Sequence, residues 1–600
     1  MKVRVSDYIA DFLARNHVRD VFTVVGGGAM YLNDSLGHHP QLHCTYNHNE
    51  QASAMAAEAY ARMENKIAAV CVTTGPGATN AITGVAGAYM DSIPMLVFSG
   101  QVRYETSVYA SGLKLRTRGV QEFDIIGSVG NMTKYSVLVK HSKEIRYCLE
   151  KALYYAKEGR PGPCWLDIPL DIQAQMIEPE KLESFTPELR ESTEDLDHVA
   201  DEIIYRVQNS QRPVLFVGNG VRLSGGYDVF RKLVTLLNIP VVTGMSSVDA
   251  IETENPLYVG RSGNTGDRAG NFAVQNSDLF ISLGSRLNFN QTGFNYKTWA
   301  REAFKIVNDI DIEELQKDSI QADLKICCDV KKLMEVIVQK LKKPLEIKIG
   351  WIRQCQEWKK TYPVVQKKHY EGSVVNIYAF YQELTKRLPE KSTLVVSVGT
   401  ARVAGSQTSI IKKDMRFITN PTIAAMGWGL PASIGVCVAK RKDKVILVTG
   451  EGSLQMNLQE LQTIIHNRFP IAIFVLNNQG YHSIRMTQTT YFNGNFVGIG
   501  PESKDISFPN LEKIAYAYGF PYYKLTHILD AEEIIGAMLK ENGPCICEVI
   551  LDIQQVTEPK ASSKRLENGQ MISAPLEDMA PFLPREELKK NMFIPLIDED

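Results

Sequence analysis

No uninterrupted apolar run in this 600-residue sequence reaches the roughly 18 residues of a membrane-spanning helix. The opening "MKVRVSDYIADFLARN" reads as an amphipathic helix and has no separate charged stretch and apolar core of a signal peptide. Charge of one sign is also missing. Lys and Arg total 66 against 68 Asp and Glu, a net charge of −2, and the intermingled charges offer no basic face for a polyanion. Cysteine is sparse and scattered. Of ten, only Cys327/Cys328 and Cys545/Cys547 are close together, without a CxxC, so neither a structural zinc nor a disulfide framework is indicated. These absences exclude nucleic-acid and membrane partners as expectations and place the chain in a reducing compartment, the cytoplasm.

What is present is repetition. The apolar runs "IAAVCVTT", "MLVFSG", "PVLFVGNG", "DLFISLGS", "STLVVSVG", "DKVILVTG" and "IAIFVLNN" alternate with longer helical patterns. Near-continuous Val, Ile, Leu and Phe runs bounded by glycine are those of parallel strands buried on both faces. The expected fold class is α/β, with three doubly wound parallel-sheet domains. Two polar stretches, 178–196 and 341–370, lack strand runs and read as linkers. They divide the chain into domains at 1–178, 196–341 and 370–558, followed by a tail at 559–600 packed over something else.

"TGEGSLQMNLQELQ", residues 449–462, places an acid between two glycines where a strand gives way to a helix expected at about Ser453–Asn467. "IAIFVLNN" is the next strand. A parallel crossover brings Glu451 and Asn478 to the same carboxyl edge of one sheet. A carboxylate, an amide oxygen and the Gly480 carbonyl are hard ligands suited to Mg²⁺, which keeps positions for phosphate oxygens. The glycines and the N–H groups near Ser453 admit a polyphosphate. A GxG after a strand is, alone, equally a tight turn. The 27-residue separation from Glu451 to Asn478, with a double asparagine, resembles the thiamine diphosphate (ThDP) signature of GDG followed by NN. Glu451 stands where that family usually has Asp.

A second segment, "LHCTYNHNEQASAMAAEAYAR", ends a strand near His48 and starts a helix at Glu50, with Asn49 as its cap. A glutamate in a first helical turn also simply complements the helix dipole. The segment resembles the "HEQAAAxAAEGYAR" pattern of acetolactate synthases, with an asparagine inserted as "HNEQ". "TTGPGATNAITGVAGAYMDSIPMLVFSGQV", "MTKYSVLV", "GRPGPCWLDIP" and "AAMGWGLPASIG" match the same group in order. Over residues 4 to about 555 the chain resembles a ThDP-dependent enzyme of the acetolactate synthase-like group.

That resemblance implies roles residue by residue. Glu50 would pair with the aminopyrimidine, and Met426 would wedge beneath the cofactor. Cofactor contacts are implied at Gly26, Gly27, Thr73, Gly75, Asn80, Gly399, Gly427, Gly450, Gly452, Ser453, Gly480 and Tyr481, with Glu451, Asn478 and Gly480 on the metal. Simple decarboxylases carry a glutamate where this chain has Ile484; an apolar group donates no proton, so carboligation is expected. His482 keeps a non-ligating 2-keto acid decarboxylase open as the alternative. Gln121 retains the family's glutamine, whereas Val120, Thr400, Ala401, Arg402 and Thr487 replace bulkier or differently polar groups, which implies a roomier acceptor pocket. "GGGAMYLND" and "PLEDMAPFLPREE" are similar to segments of carboligases acting on nucleotide-linked keto sugars. The expected substrates are therefore a 2-keto acid, pyruvate first, and a carbonyl acceptor. The central domain resembles a flavin-binding one, with Arg286 and Asp309 as contacts and Gln291 replacing an arginine; FAD, ADP or no ligand all remain open. A homodimer or homotetramer with active sites between chains is implied. A NAD-linked oxidoreductase would want an early GxGxxG with a later acid, which is missing. A non-enzymatic relative would be expected to lose Glu50 or the Glu451/Asn478 pair.

Overall fold

The computed structural model describes residues 2–188, 194–565 and 571–597. Part of the first expected linker, 189–193, and of the tail, 566–570 and 598–600, lies outside the described residues. All seven apolar runs form strands, and they belong to three six-stranded parallel sheets. The first sheet runs, edge to edge, His43–Tyr46, Asp20–Thr23, Ala68–Val72, Met95–Gln101, Pro163–Pro169, Tyr135–Leu138. The third runs Arg416–Ile418, Thr393–Val396, Val445–Gly450, Ile471–Asn477, Cys545–Ile550, Tyr522–Leu525. Numbered along the chain within each sheet, both have the order 2-1-3-4-6-5.

The middle sheet differs. Tyr258–Arg261, Val241–Thr243, Pro213–Val217, Leu279–Leu283, Phe304–Asp309 and Leu324–Cys327 lie in the order 3-2-1-4-5-6. That is the doubly wound arrangement with a crevice between strands 1 and 4, where nucleotides bind.

Helices Glu50–Glu64 and Gly429–Ala439 pack together and share one core that spans the first and third domains. Both are rich in small residues, so their backbones approach closely. Among the described residues, no helix is long and apolar enough to cross a membrane. All ten cysteines are free, eight of them buried.

Two sequence expectations are corrected. The stretch 341–370 contains the helix Ile349–Thr361, whose Trp351 and Trp358 are buried against the middle domain. It reads as a linker only because it carries no strand run; its aromatic side chains are core. The helix expected over Ser453–Asn467 is two pieces, Glu451–Gln455 and Glu460–Asn467. Asn457 lies buried at the break and donates to Gly427 O at 2.9 Å and Gln51 Oε1 at 3.1 Å. An asparagine that bonds across domains competes with helical backbone pairing, and the chain turns there.

The tail crosses back onto the middle domain. Glu577 accepts from Gln275 Nε2 at 2.5 Å and pairs with Arg301 at 2.8 Å, while Leu576 and Leu588 join the middle core.

Candidate active site

Two groups of site residues form at the carboxyl edges of the first and third sheets. In the third, parallel pairing sets Gly450 beside Leu476, so Glu451 and Asn478 leave neighbouring strands at one end. Glu451 Oε1 accepts the Gly480 N–H at 2.6 Å. Burial pushes the Glu451 carboxyl up to about 7, an effect that the surrounding backbone N–H groups reduce. Asn478 is buried, and its Oδ1 has no hydrogen-bond partner. Gly480 has φ of +134°, and a Cβ there would lie 1.8 Å from Ile499 O, so the turn admits glycine alone. A carboxylate uneasy without a counter-charge, an orphaned amide oxygen and a carbonyl fit a hard divalent cation.

Around this group Ser453 Oγ accepts the Gly427 N–H at 2.9 Å and meets Ser397 Oγ at 2.8 Å, which fixes the Met426–Gly427 turn over the short helix. The Tyr481 ring lies over Gly452 and meets Phe508 edge to face at 5.4 Å. Gly399 begins the helix Thr400–Thr408, and Thr400 Oγ1 is 3.2 Å from His482 Nδ1. His482 is buried and its pKa is lowered to about 4, first by burial and then by Arg485. It is therefore neutral at pH 7 and a poor proton donor. Ile484, by contrast, is 49% exposed and Met426 41%, two large apolar side chains left open beside a group of buried polar ones.

In the first sheet, Asn49 caps the helix Glu50–Glu64 by accepting from Gln51 N at 2.8 Å; the inserted residue of "HNEQ" has this local task. Asn80 Nδ2 donates to Glu50 Oε2 at 3.0 Å. Thr73 Oγ1 accepts the Gly28 N–H at 3.1 Å, which places the Gly26–Gly27 turn beside the same edge. Gly75, with φ of +59°, faces Gln121 O, which a Cβ would approach to 2.3 Å. Gln121 itself has φ of +62°, a conformation that a non-glycine residue holds only under constraint. Nearby, Gln101 donates through Nε2 to Phe123 O and to Asp167 Oδ2, both at 3.0 Å.

Comparison with known proteins then decides the family. A thiamine pyrophosphate enzyme N-terminal TPP-binding domain matches residues 3–127, the central domain 200–337 and the C-terminal TPP-binding domain 397–549. Acetolactate synthase 1, chloroplastic, of Nicotiana tabacum is 30% identical over 575 residues, covering 93% of this chain and 83% of that protein. The acetolactate synthase isozyme 2 large subunit of Escherichia coli is 30% identical over 566 residues, covering 94% and 98%, and the large subunit of Cyanidium caldarium is 29% identical over 586. The chain belongs to the acetolactate synthase-like thiamine diphosphate enzymes.

In this acetolactate synthase-like chain the two groups stay apart. Among the described residues no hydrogen bond or ion pair joins Glu50 to the Glu451–Asn478 group. The neighbouring residues do bridge the domains: Glu460 accepts from Asn47 Nδ2 and from His48 N, both at 2.9 Å, and Gln51 meets Asn457.

Arg286 and Asp309 lie elsewhere, in a cavity of about 390 Å³ at the switch point of the middle sheet. Arg286 Nη2 donates to Thr422 Oγ1 at 2.6 Å. Burial pushes the Asp309 carboxyl up. Asn308 is among the residues lining the cavity, its Nδ2 donating to Ile326 O and Cys328 O and its Oδ1 buried without a partner. Gln291 turns to Ser262 Oγ.

Sequence reading passed over Arg485, Gln101, Asn457 and Glu460, all of them polar, buried and hydrogen-bonded. Only Arg485 carried a signal, as a cation one turn into the helix that follows the double asparagine.

Proposed function

We propose that this chain is a decarboxylating carboligase, which takes a two-carbon unit from a 2-keto acid, pyruvate first, and joins it to the carbonyl of a second substrate, a keto sugar. Thiamine diphosphate, when bound, supplies the electron sink that a 2-keto acid needs to lose CO₂. Glu50, held by Asn80, is the group that would meet the aminopyrimidine and hold its proton. Glu451, Asn478 and the Gly480 carbonyl would hold Mg²⁺ and with it the diphosphate. Met426 would support the cofactor from beneath, and Gln121 would stand at the acceptor side.

One observation carries the choice of carboligation. The position that would serve a proton-releasing decarboxylase is Ile484, and the nearby His482 is held neutral by burial. With no competent acid there, a carbonyl acceptor quenches the two-carbon unit. Val120, 86% exposed where a large ring is usual, leaves room for a bulky acceptor. The exposed Val120, Met426 and Ile484 suit an assembly in which the first domain of one chain faces the third of another, a homodimer or homotetramer. The middle cavity suits an adenine nucleotide, FAD or ADP. Ten free thiols fit a reducing compartment, the cytoplasm in this reading.

The test is product analysis by mass spectrometry after incubation with ThDP, Mg²⁺ and pyruvate, with aldehydes, keto acids and keto sugars in turn. Carbon–carbon adducts are expected, largest with keto sugars, and Glu50→Gln should lower their rate by about 10²–10⁴. Acetaldehyde as the sole product would overturn carboligation; acetolactate alone, with no gain from keto sugars, would overturn the acceptor.

A further inference from the structure

The loop 477–481 is shaped from behind by a residue that touches neither of the side-chain ligands proposed for the metal. Arg485, on the helix His482–Phe492, is buried. Its Nη1 donates to Asn478 O at 3.0 Å, its Nη2 to Gln479 O at 2.9 Å, and its Nε to Glu502 Oε2 at 2.7 Å. A trans peptide is planar, with its C=O and N–H pointing in opposite directions. Fixing Gln479 O on Arg485 therefore aims the next N–H, that of Gly480, at Glu451 Oε1, where it is found at 2.6 Å. The preceding peptide is pinned in the same way: Asn478 O is on Arg485, and the Gln479 N–H is on Asn477 Oδ1 at 3.0 Å. Gln479 is held at φ of +57°, which these four bonds oppose relaxing.

Glu502 lies in a segment that folds over this loop. Gln488, one turn beyond Arg485, clamps Val497 from both sides, donating to its carbonyl at 2.9 Å and accepting its N–H at 3.0 Å. Tyr481 N donates to Ile499 O at 2.7 Å, and Phe508 packs on the Tyr481 ring. We propose that Arg485 is a positioning residue for the metal-binding loop and that, through Glu502, it latches residues 497–508 over that loop. A planar fork with several donors is required, because two carbonyls and a carboxylate are held at once; an ammonium is a point charge and cannot span them.

The inference rests on the Mg²⁺ assignment above, and the test separates the two. Mg²⁺ is titrated into metal-free wild type, Arg485→Met, Arg485→Lys and Glu502→Gln with excess free ThDP in the solution, and binding is followed by calorimetry and by tryptophan fluorescence, with apo thermal melts as the folding control. Arg485→Met is expected to raise the half-saturating Mg²⁺ about 10- to 100-fold, as loss of a partner behind metal ligands does. Arg485→Lys should fall between it and wild type, and Glu502→Gln should shift Mg²⁺ by a smaller factor; either reads the effect should Arg485→Met not fold. Turnover at saturating Mg²⁺ should fall less than Mg²⁺ affinity does. Folded variants with unchanged Mg²⁺ affinity would overturn the positioning role alone. A wild type that binds ThDP without Mg²⁺ would overturn the metal assignment, and the positioning role with it.

Discussion

Glu451 differs by one methylene from the aspartate usual in its family, and the loop opposite is built to that length. Its Oε1 meets the Gly480 N–H at 2.6 Å, while Arg485 prevents the loop from following a retreating carboxylate. Glu451→Asp should therefore weaken Mg²⁺ binding here, read as a rightward shift in Mg²⁺ titration of the metal-free protein in excess ThDP. Asp167 is a residue of the opposite kind, buried beneath the first sheet's rim. It accepts from Ser99 Oγ at 2.6 Å and Gln101 Nε2 at 3.0 Å, yet burial pushes it up to about 7. An unfolded aspartate titrates near about 3.9, so between those values the native state holds a proton that the unfolded state has lost. The contribution of Asp167 to stability is thus complete at acid pH and fades as pH rises toward 7. Urea unfolding at a series of pH values should show Asp167→Asn with a flatter dependence than wild type between about pH 4 and 7.

At the scale of elements, the join between the start of helix Glu50–Glu64 and helix Glu460–Asn467 includes one buried carboxylate. Glu460 is fully buried and takes Asn47 Nδ2, His48 N and, from its own helix, Thr463 Oγ1 at 2.7 Å. Glu460→Ala leaves the two partners in the first domain unsatisfied and should cost about 2–4 kcal/mol in chemical denaturation. It should also lower turnover by loosening the start of the Glu50 helix. The strands were legible because buried parallel strands write themselves as apolar runs, and the Glu451–Asn478 pairing followed from a crossover of the usual hand. Elements that answer to distant partners were not legible. The break at Asn457 depends on Gln51, about 400 positions away, and the positive φ of Gln121 depends on packing against Gly75. The helix Ile349–Thr361 was missed because its tryptophans bury against a surface that local periodicity does not describe. Arg485 sat in view, but its task is set by carbonyls, which a sequence does not display.

Across the whole molecule, the tail binds the middle domain through charge as well as apolar contact. Glu577 is buried and Arg301 partly so, and Glu577→Ala removes the carboxylate that meets both Arg301 and Gln275, which should cost about 1–3 kcal/mol. A differential scan should show the loss as a lowered transition of the middle domain, with the third domain less affected. The first and third domains share one strand order and place the residues proposed for the cofactor at matching positions, after the third strand in chain order: Thr73 and Gly75 in one, Glu451 in the other. A single scaffold thus appears twice, and the proposed function gives the copies two separate tasks, recognition of a ring and anchorage of a charged end. The two copies are not independent, because Glu460 of the third domain holds Asn47 and His48 just ahead of Glu50 in the first. A substitution at that seam would therefore reach the edge proposed for the ring and the edge proposed for the metal together.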